Sequence, residues 1–181
     1  MGPVTAILST LYDNDRTAKK CFDGVTVVNW EKDLCHSAPE LAPWLALDYG
    51  KGAKVSVEKV VLFNRLDCCT ERTRNVQIRL SNKLPVSGNT VFQGGALLGT
   101  FKGPARHRQK ETEIKSVSGW EKKFGRYLII QMKTDGDMLN LAEAIAFGSH
   151  TLATPVVDSQ TLVTPVVDSQ TLATPVVDYN E

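Results

Sequence analysis

The sequence predicts an all-β domain, a jelly-roll β-sandwich, carrying a repetitive extended C-terminal tail. Three observations predict it. Apolar positions in residues 1–148 recur mostly with the period of two that a half-buried strand imposes. Clusters of Gly, Asn, Asp and Pro separate the runs. No amphipathic stretch of helical period reaches about ten residues, so many strands and turn-rich spacers must bury one another face to face.

The elements follow in chain order. Val55–Phe63 is β-branched and reads as one strand. Asn75–Leu80 alternates cleanly, which turns Val76, Ile78 and Leu80 toward a core. Ala96–Phe101 follows the Gly94-Gly95 turn, and Arg126–Met132 is a further strand. Leu139–Phe147 has a helix-like composition, but Gly136-Asp137 and Gly148 bound it closely, so it too is expected as a single strand.

The composition is that of an ordinary folded protein: 181 residues, 42% apolar, 23% charged, net charge +1. It excludes a wholly disordered chain, and no apolar run is long enough for a transmembrane helix. The near-zero charge hides an asymmetry. Residues 149–181 hold no Lys or Arg and four acids, hence −4; residues 1–148 hold 21 bases against 16 acids, hence +5. Residues 1–148 are one domain's worth of chain. Residues 149–178 are three copies of a decamer, SHTLATPVVD, SQTLVTPVVD and SQTLATPVVD. Each Thr-Pro step disfavours helix, so the expectation is an extended, poorly packed tail. An O-glycosylated stalk and a self-associating β-strip are the alternatives.

The informative segment is Arg65-Leu66-Asp67-Cys68-Cys69-Thr70-Glu71-Arg72, in a loop between two strands, where binding residues tend to sit. Adjacent cysteines joined to each other bring the Cα atoms closer than a disulfide normally allows, and gain almost no loop-closure entropy. What such a bond offers is a compact apolar sulfur surface. The two thiols could instead bond elsewhere, stay reduced or ligate a metal, although no CxxC spacing supports a metal. Arg65 and Arg72 flank the pair, and each offers five donors in a fixed fork. Two forks around an apolar patch suit a neutral polyol with one apolar face, which is a sugar, with Asp67 and Glu71 holding the guanidinium groups. A solvated charged turn is the plain alternative.

The string R-x-D-C-C-x-E-R with a Val-alternating strand after it resembles the signature of the F-type lectins, or fucolectins. Pro43-Trp44-Leu45-Ala46-Leu47-Asp48-Tyr49-Gly50, the early Phe22-Asp23-Gly24 and the closing Leu139–Gly148 are similar to further family segments in the same order. The resemblance implies a jelly roll of about eight strands that binds L-fucose at one end, within the discoidin or galactose-binding-like superfamily. It implies that His36, Arg65 and Arg72 contact sugar hydroxyls and that a Cys68–Cys69 disulfide packs on the sugar ring. It also implies structural Ca2+ held by Asp23, Glu143 and backbone carbonyls near Lys20, Val25 and the segment before His36. Leu66 stands where the family usually has Gly. Ala142 stands where many members carry a Cys bonded to one beside the binding His, which leaves Cys21 as the replacement partner in Cys21–Cys35.

The function expected is non-catalytic binding of fucosylated glycans, with several copies supplying avidity. The alternative is a discoidin-like adhesion or interaction module that has lost the sugar. A glycosidase needs two carboxylates placed across a sugar, and none are legible outside the arginine pairs. The basic run Lys102, Arg106, His107, Arg108 and Lys110 has no stacking aromatic beyond Phe101, so it reads as a solvated loop and no nucleic-acid partner is expected. His107 and His150 read as solvated. No membrane insertion is expected. Residues 1–8 lack the basic and apolar segments of a signal peptide. The adjacent disulfide nevertheless requires an oxidising compartment, so an extracellular protein with an incomplete N-terminus is expected.

Overall fold

A computed structural model describes residues 3–27 and 33–151. The tail readings, apart from residues 149–151, lie outside the described residues. The strands are β1 (Thr5–Leu8), β2 (Cys35–His36), β3 (Trp44–Asp48), β4 (Lys54–Phe63), β5 (Val76–Ser81), β6 (Ala96–Phe101), β7 (Glu111–Lys115), β8 (Tyr127–Met132), β9 (Asn140–Leu141) and β10 (Glu143–Thr151). Every pairing is antiparallel. One sheet runs β1-β3-β8-β5-β6, a second β10-β4-β7, and a short third pairs β2 with β9. The sandwich encloses one main core, to which Leu45, Leu47, Ile78, Leu80, Leu128 and Ile130 come from the first sheet and Val55, Val57, Val60 and Leu62 from the second.

The all-β jelly-roll expectation holds, and the local pattern explains the details. Val76, Ile78 and Leu80 all reach the core, as their alternation requires. In β4 the inward phase changes from Val55 and Val57 to Val60 and Leu62. Phe147 pairs with Lys59 but Gly148 pairs with Val57, so Glu58 is the extra residue of a β-bulge. The polar Glu58-Lys59 step marks that change of face in the sequence. Gly148 is required opposite the bulge, because a Cβ there would collide with the Ser56 carbonyl. β3 is buried along its whole length, since Trp44 and Ala46 pack on the outer face beneath Ile7, Leu84 and Phe92.

Two boundaries differ from expectation. The strand expected over Leu139–Phe147 is broken at Ala142. Leu141 pairs with Cys35 in the short sheet, whereas Glu143 pairs with Phe63 in the second. The Ala142 N–H bonds the Phe63 carbonyl at 2.8 Å, so the chain changes partner at that residue. At the other end β10 continues through Gly148 to Thr151, three residues into the first decamer. Four strands, β1, β2, β3 and β7, are too brief, too polar or too evenly apolar to be read from periodicity.

Candidate functional site

The loop after β4 is pinned at both ends. Asn64 is 1% exposed. Its amide donates to the Gln109 carbonyl at 2.9 Å and to Thr112 Oγ1 at 3.0 Å, while Thr73 Oγ1 donates to its Oδ1 at 2.8 Å. Thr70 Oγ1 closes the inside of the loop on the Arg65 carbonyl at 3.1 Å. Cys68 and Cys69 are joined to each other, with Cα atoms 3.8 Å apart, the spacing of a trans peptide. Cys69 has φ 63°, a left-handed conformation rare for a residue with a side chain, and its carbonyl starts the 3-10 turn Thr70–Arg72.

That turn brings Arg65, Cys69 and Arg72 around one recess with His36, Tyr12, Arg16 and Met138, enclosing about 210 Å³. The volume lies below the roughly 300–1,000 Å³ usual for drug-sized ligands and suits a single sugar ring. Cys68 and Leu66 are half-buried beside the recess rather than part of its lining.

Each arginine of the recess has an aspartate. Arg65 Nε and Nη2 donate to the two carboxylate oxygens of Asp67, both at 2.7 Å. The guanidinium holds the Asp67 carboxyl below its usual pKa. Arg72 Nε lies 3.1 Å from Asp137 Oδ1. Asp137 Oδ2 also takes Arg74 Nη2 at 3.3 Å, and its Oδ1 accepts the Met138 N–H at 2.9 Å. Arg16 pairs with Asp13, whose Oδ1 also accepts the Arg16 N–H at 3.0 Å. Glu71 is the correction here. It is exposed and, among the described residues, in no ion pair, because the 3-10 turn directs Arg72 inward to Asp137 and leaves Glu71 in solvent.

His36 is 5% exposed on β2. Its backbone is clamped to the first loop: the Tyr12 N–H donates to the His36 carbonyl at 3.0 Å, and the His36 N–H donates to the Arg16 carbonyl at 3.1 Å. The Tyr12 ring lies 4.7 Å from the imidazole and has the Arg16 guanidinium 5.3 Å from its centroid. His36 Nδ1 bonds the Ser37 carbonyl at 2.8 Å. A carbonyl only accepts, so Nδ1 carries the proton and Nε2 of the neutral ring remains an acceptor. Burial lowers the His36 pKa from 6.5, and Arg72, Arg16 and Arg65 lower it further against the opposing Ser37 bond. The recess therefore offers guanidinium donors, one imidazole acceptor, the Tyr12 ring and a sulfur surface, with each arginine already paired with an aspartate.

Tyr12, Arg16, Asp137 and Met138 were missed by the sequence reading. The signal available for the first two was the string Tyr12-Asp13-Asn14-Asp15-Arg16, an Asp-rich turn next to an aromatic. For Asp137 it was the Gly136-Asp137 turn, treated only as punctuation.

A second corner lies behind His36. Cys21 and Cys35, both fully buried, form the second disulfide, and Ala142 is fully buried against Leu34, Val61 and Phe63. The bond ties the 3-10 turn Ala18–Cys21 to β2. Just after that turn the Gly24 N–H donates to Glu143 Oε2 at 2.8 Å and the Val25 N–H to Asp23 Oδ1 at 3.0 Å. Glu143 is 3% exposed, and its pKa is raised by burial and by the Asp23 charge. No described cation pairs with either carboxylate. A buried carboxylate beside another, with oxygen donors alone, fits a hard cation. Among the described residues no group of three or more His, Cys, Asp or Glu forms a metal cluster, so further ligands would be carbonyls such as those of Lys20 and Val25. Part of the segment before His36, residues 28–32, lies outside the described residues.

The remaining histidines lie apart from the recess. His107 is exposed on the β6–β7 loop, and the His150 side chain lies outside the described residues.

Comparison with known proteins places this architecture. No family model matches the chain. A pentraxin fusion protein from Xenopus laevis is 29% identical over 141 residues, 77% of this chain. The matched stretch spans 31% of that protein's length. Among solved structures, a fucolectin from striped bass (Morone saxatilis) serum has a TM-score of 0.65 at 23% identity, covering 80% of this chain and 46% of that one. The lectin domain of lectinolysin, solved with Lewis B antigen, has a TM-score of 0.61 at 24% identity, covering 80% and 92%. A Streptococcus pneumoniae fucose-binding module has 0.56 at 18%, covering 80% and 93%. The class is therefore the antiparallel jelly roll shared with sugar-binding modules. Within that class the chain has the fold of the fucolectins, as its R-x-D-C-C-x-E-R string led one to expect.

Proposed function

We propose that the chain is a non-catalytic, calcium-supported lectin of the F-type family that binds terminal L-fucose on extracellular glycans. The observation that carries this reading is the convergence of His36, Arg65, Cys69 and Arg72 on one recess sized for a single sugar ring. Arg65 and Arg72, held by Asp67 and Asp137, present their remaining N–H groups to hydroxyl and ring oxygens. Such charge-assisted bonds offset the desolvation of a polyol. His36 Nε2 accepts from a hydroxyl. The Cys68–Cys69 sulfurs take the apolar side of the ring. With each arginine neutralised by a carboxylate, the recess favours an uncharged sugar. Asp23, Glu143 and nearby carbonyls would hold Ca2+, which would screen two like charges and fix the corner that supports His36.

A single shallow sugar site binds weakly, in about the millimolar to micromolar range, so several copies on one assembly would supply useful avidity. A glycan array with calcium present tests the reading. Signals should concentrate on fucosylated glycans. A silent array would favour the discoidin-like interaction module instead.

A further inference from the structure

We propose that the β6–β7 loop, residues 102–110, is a second subsite, for an anionic substituent (sulfate or carboxylate) on the sugars next to the bound fucose. The proposal rests on the fucose reading above and deepens it.

The loop is exposed but built. Its start and its end are both fastened to the residues that bracket the sugar-binding loop. The Asn75 N–H donates to the Lys102 carbonyl and the Ala105 N–H to the Thr73 carbonyl, both at 2.9 Å. At the other end the Asn64 N–H donates to the Lys110 carbonyl at 2.8 Å, and Asn64 Nδ2 donates to the Gln109 carbonyl at 2.9 Å. Asn64 directly precedes Arg65, and Thr73 directly follows Arg72. Ala105, 2% exposed, anchors the middle. Beyond it the turn closes on itself: the Gln109 N–H donates to the Arg106 carbonyl and the Arg106 N–H to Gln109 Oε1, each at 2.9 Å.

The turn presents Arg106, His107, Arg108 and Gln109 around an open recess of about 540 Å³. Lys102, Arg106, Arg108 and Lys110 are all exposed, and among the described residues none of them forms an ion pair. The arginines of the recess are each paired with an aspartate; these four cations have no such partner among the described residues. Lys110 Nζ lies 5.8 Å from the Phe63 ring centroid, and no aromatic of the turn itself offers a stacking surface. Unpaired cations without stacking aromatics suit an anionic sugar better than a nucleic acid.

The test measures affinity of the full chain, with calcium, for one fucosylated tetrasaccharide in neutral, sulfated and sialylated forms. A quadruple variant, Lys102→Gln, Arg106→Gln, Arg108→Asn and Lys110→Gln, is measured alongside. Asn is chosen at Arg108 because φ there is 55° and Asn tolerates the left-handed region. The wild type should bind at least one anionic form about tenfold more tightly than the neutral form at low salt, an advantage shrinking as salt rises. The variant should lose that advantage while binding the neutral form unchanged. Equal affinity for all three forms overturns the subsite and leaves the fucose reading standing. Failure to bind any form overturns the fucose reading and the subsite with it. Equally tight binding of a duplex oligonucleotide overturns the choice of a glycan. An anionic preference that survives in the variant, with its thermal melt intact, places the recognition elsewhere and overturns the proposal.

Discussion

Two corners of the same end of the sandwich treat charge in opposite ways. Around the recess that His36 lines, the arginines Arg16, Arg65 and Arg72 each meet an aspartate. Around Glu143, a buried carboxylate faces the Asp23 carboxylate with no described cation beside either. The first corner is electrically complete and gains by hydrogen bonding an uncharged partner. The second has no countercharge among the described residues, so a bound cation would relieve its repulsion. The two are joined by the Cys21–Cys35 bond and by β9.

The comparison can be broken at its strongest point first. Arg72→Ala removes two or more charge-assisted bonds at about 1.5–3 kcal/mol each, so fucose affinity should fall at least about 100-fold by calorimetry while the melt stays near that of the wild type. Retained binding would show that the recess is not the sugar site. Next, the disulfides should separate stability from binding. Cys21 and Cys35 are 14 residues apart, a closure of about 3 kcal/mol, so the double Ala variant should melt about 6–12 °C lower. The Cys68→Ala, Cys69→Ala pair closes no loop, so it should lose affinity at nearly unchanged melting temperature.

The carboxylate corner comes third. Saturating Ca2+ at about 100 times its Kd adds about 2.7 kcal/mol and should raise the melt by about 5–11 °C. Glu143→Gln should abolish that rise. The pH dependence has a definite sign. The folded pKa of Glu143 lies above its ordinary value of 4.5, so the folded state binds the extra proton. In chelator, the Glu143 contribution should therefore weaken as pH rises past 4.5, and Glu143→Gln should remove that loss. A calcium-independent melt would break the comparison.

Smaller effects sharpen it. Asp137→Asn releases Arg72 and should cost about tenfold in affinity, whereas Glu71→Gln should stay within about twofold. His36 has its pKa below 6.5, so the loss of fucose binding on acidification should be centred below pH 6.5, as Nε2 takes a proton. The same shift makes folding stability fall below pH 6.5, because the unfolded chain binds that proton more readily. A loss of binding already centred at 6.5 would mean His36 is not buried as described.

Much of the fold was legible where one side chain in two was apolar. Val76, Ile78 and Leu80 declared their strand, and Glu58-Lys59 carried the bulge for a reader watching the phase. β2 and β9 have two residues each, too few for any period. The break at Ala142 was invisible because it depends on which distant strand each flanking residue pairs with. At the site, Arg65, Cys69 and Arg72 lie close in sequence and could be read together. Tyr12, Arg16 and Asp137 reach the recess from loops 50 to 70 residues away, and only tertiary contacts bring them in. Glu71 was misread for a related reason: adjacency in sequence suggested a pairing that the 3-10 turn directs elsewhere.

β10 has a mechanical consequence. Its first residue, Glu143, lies at the ligand end, just after β9 and Met138, and its last, Thr151, opens onto the repeats. A pull between the recess and Thr151 would run along this strand's axis. Nine register pairs with β4 would then be loaded together, sliding past one another rather than peeling apart one at a time. A load applied in that direction is resisted by the whole ladder at once.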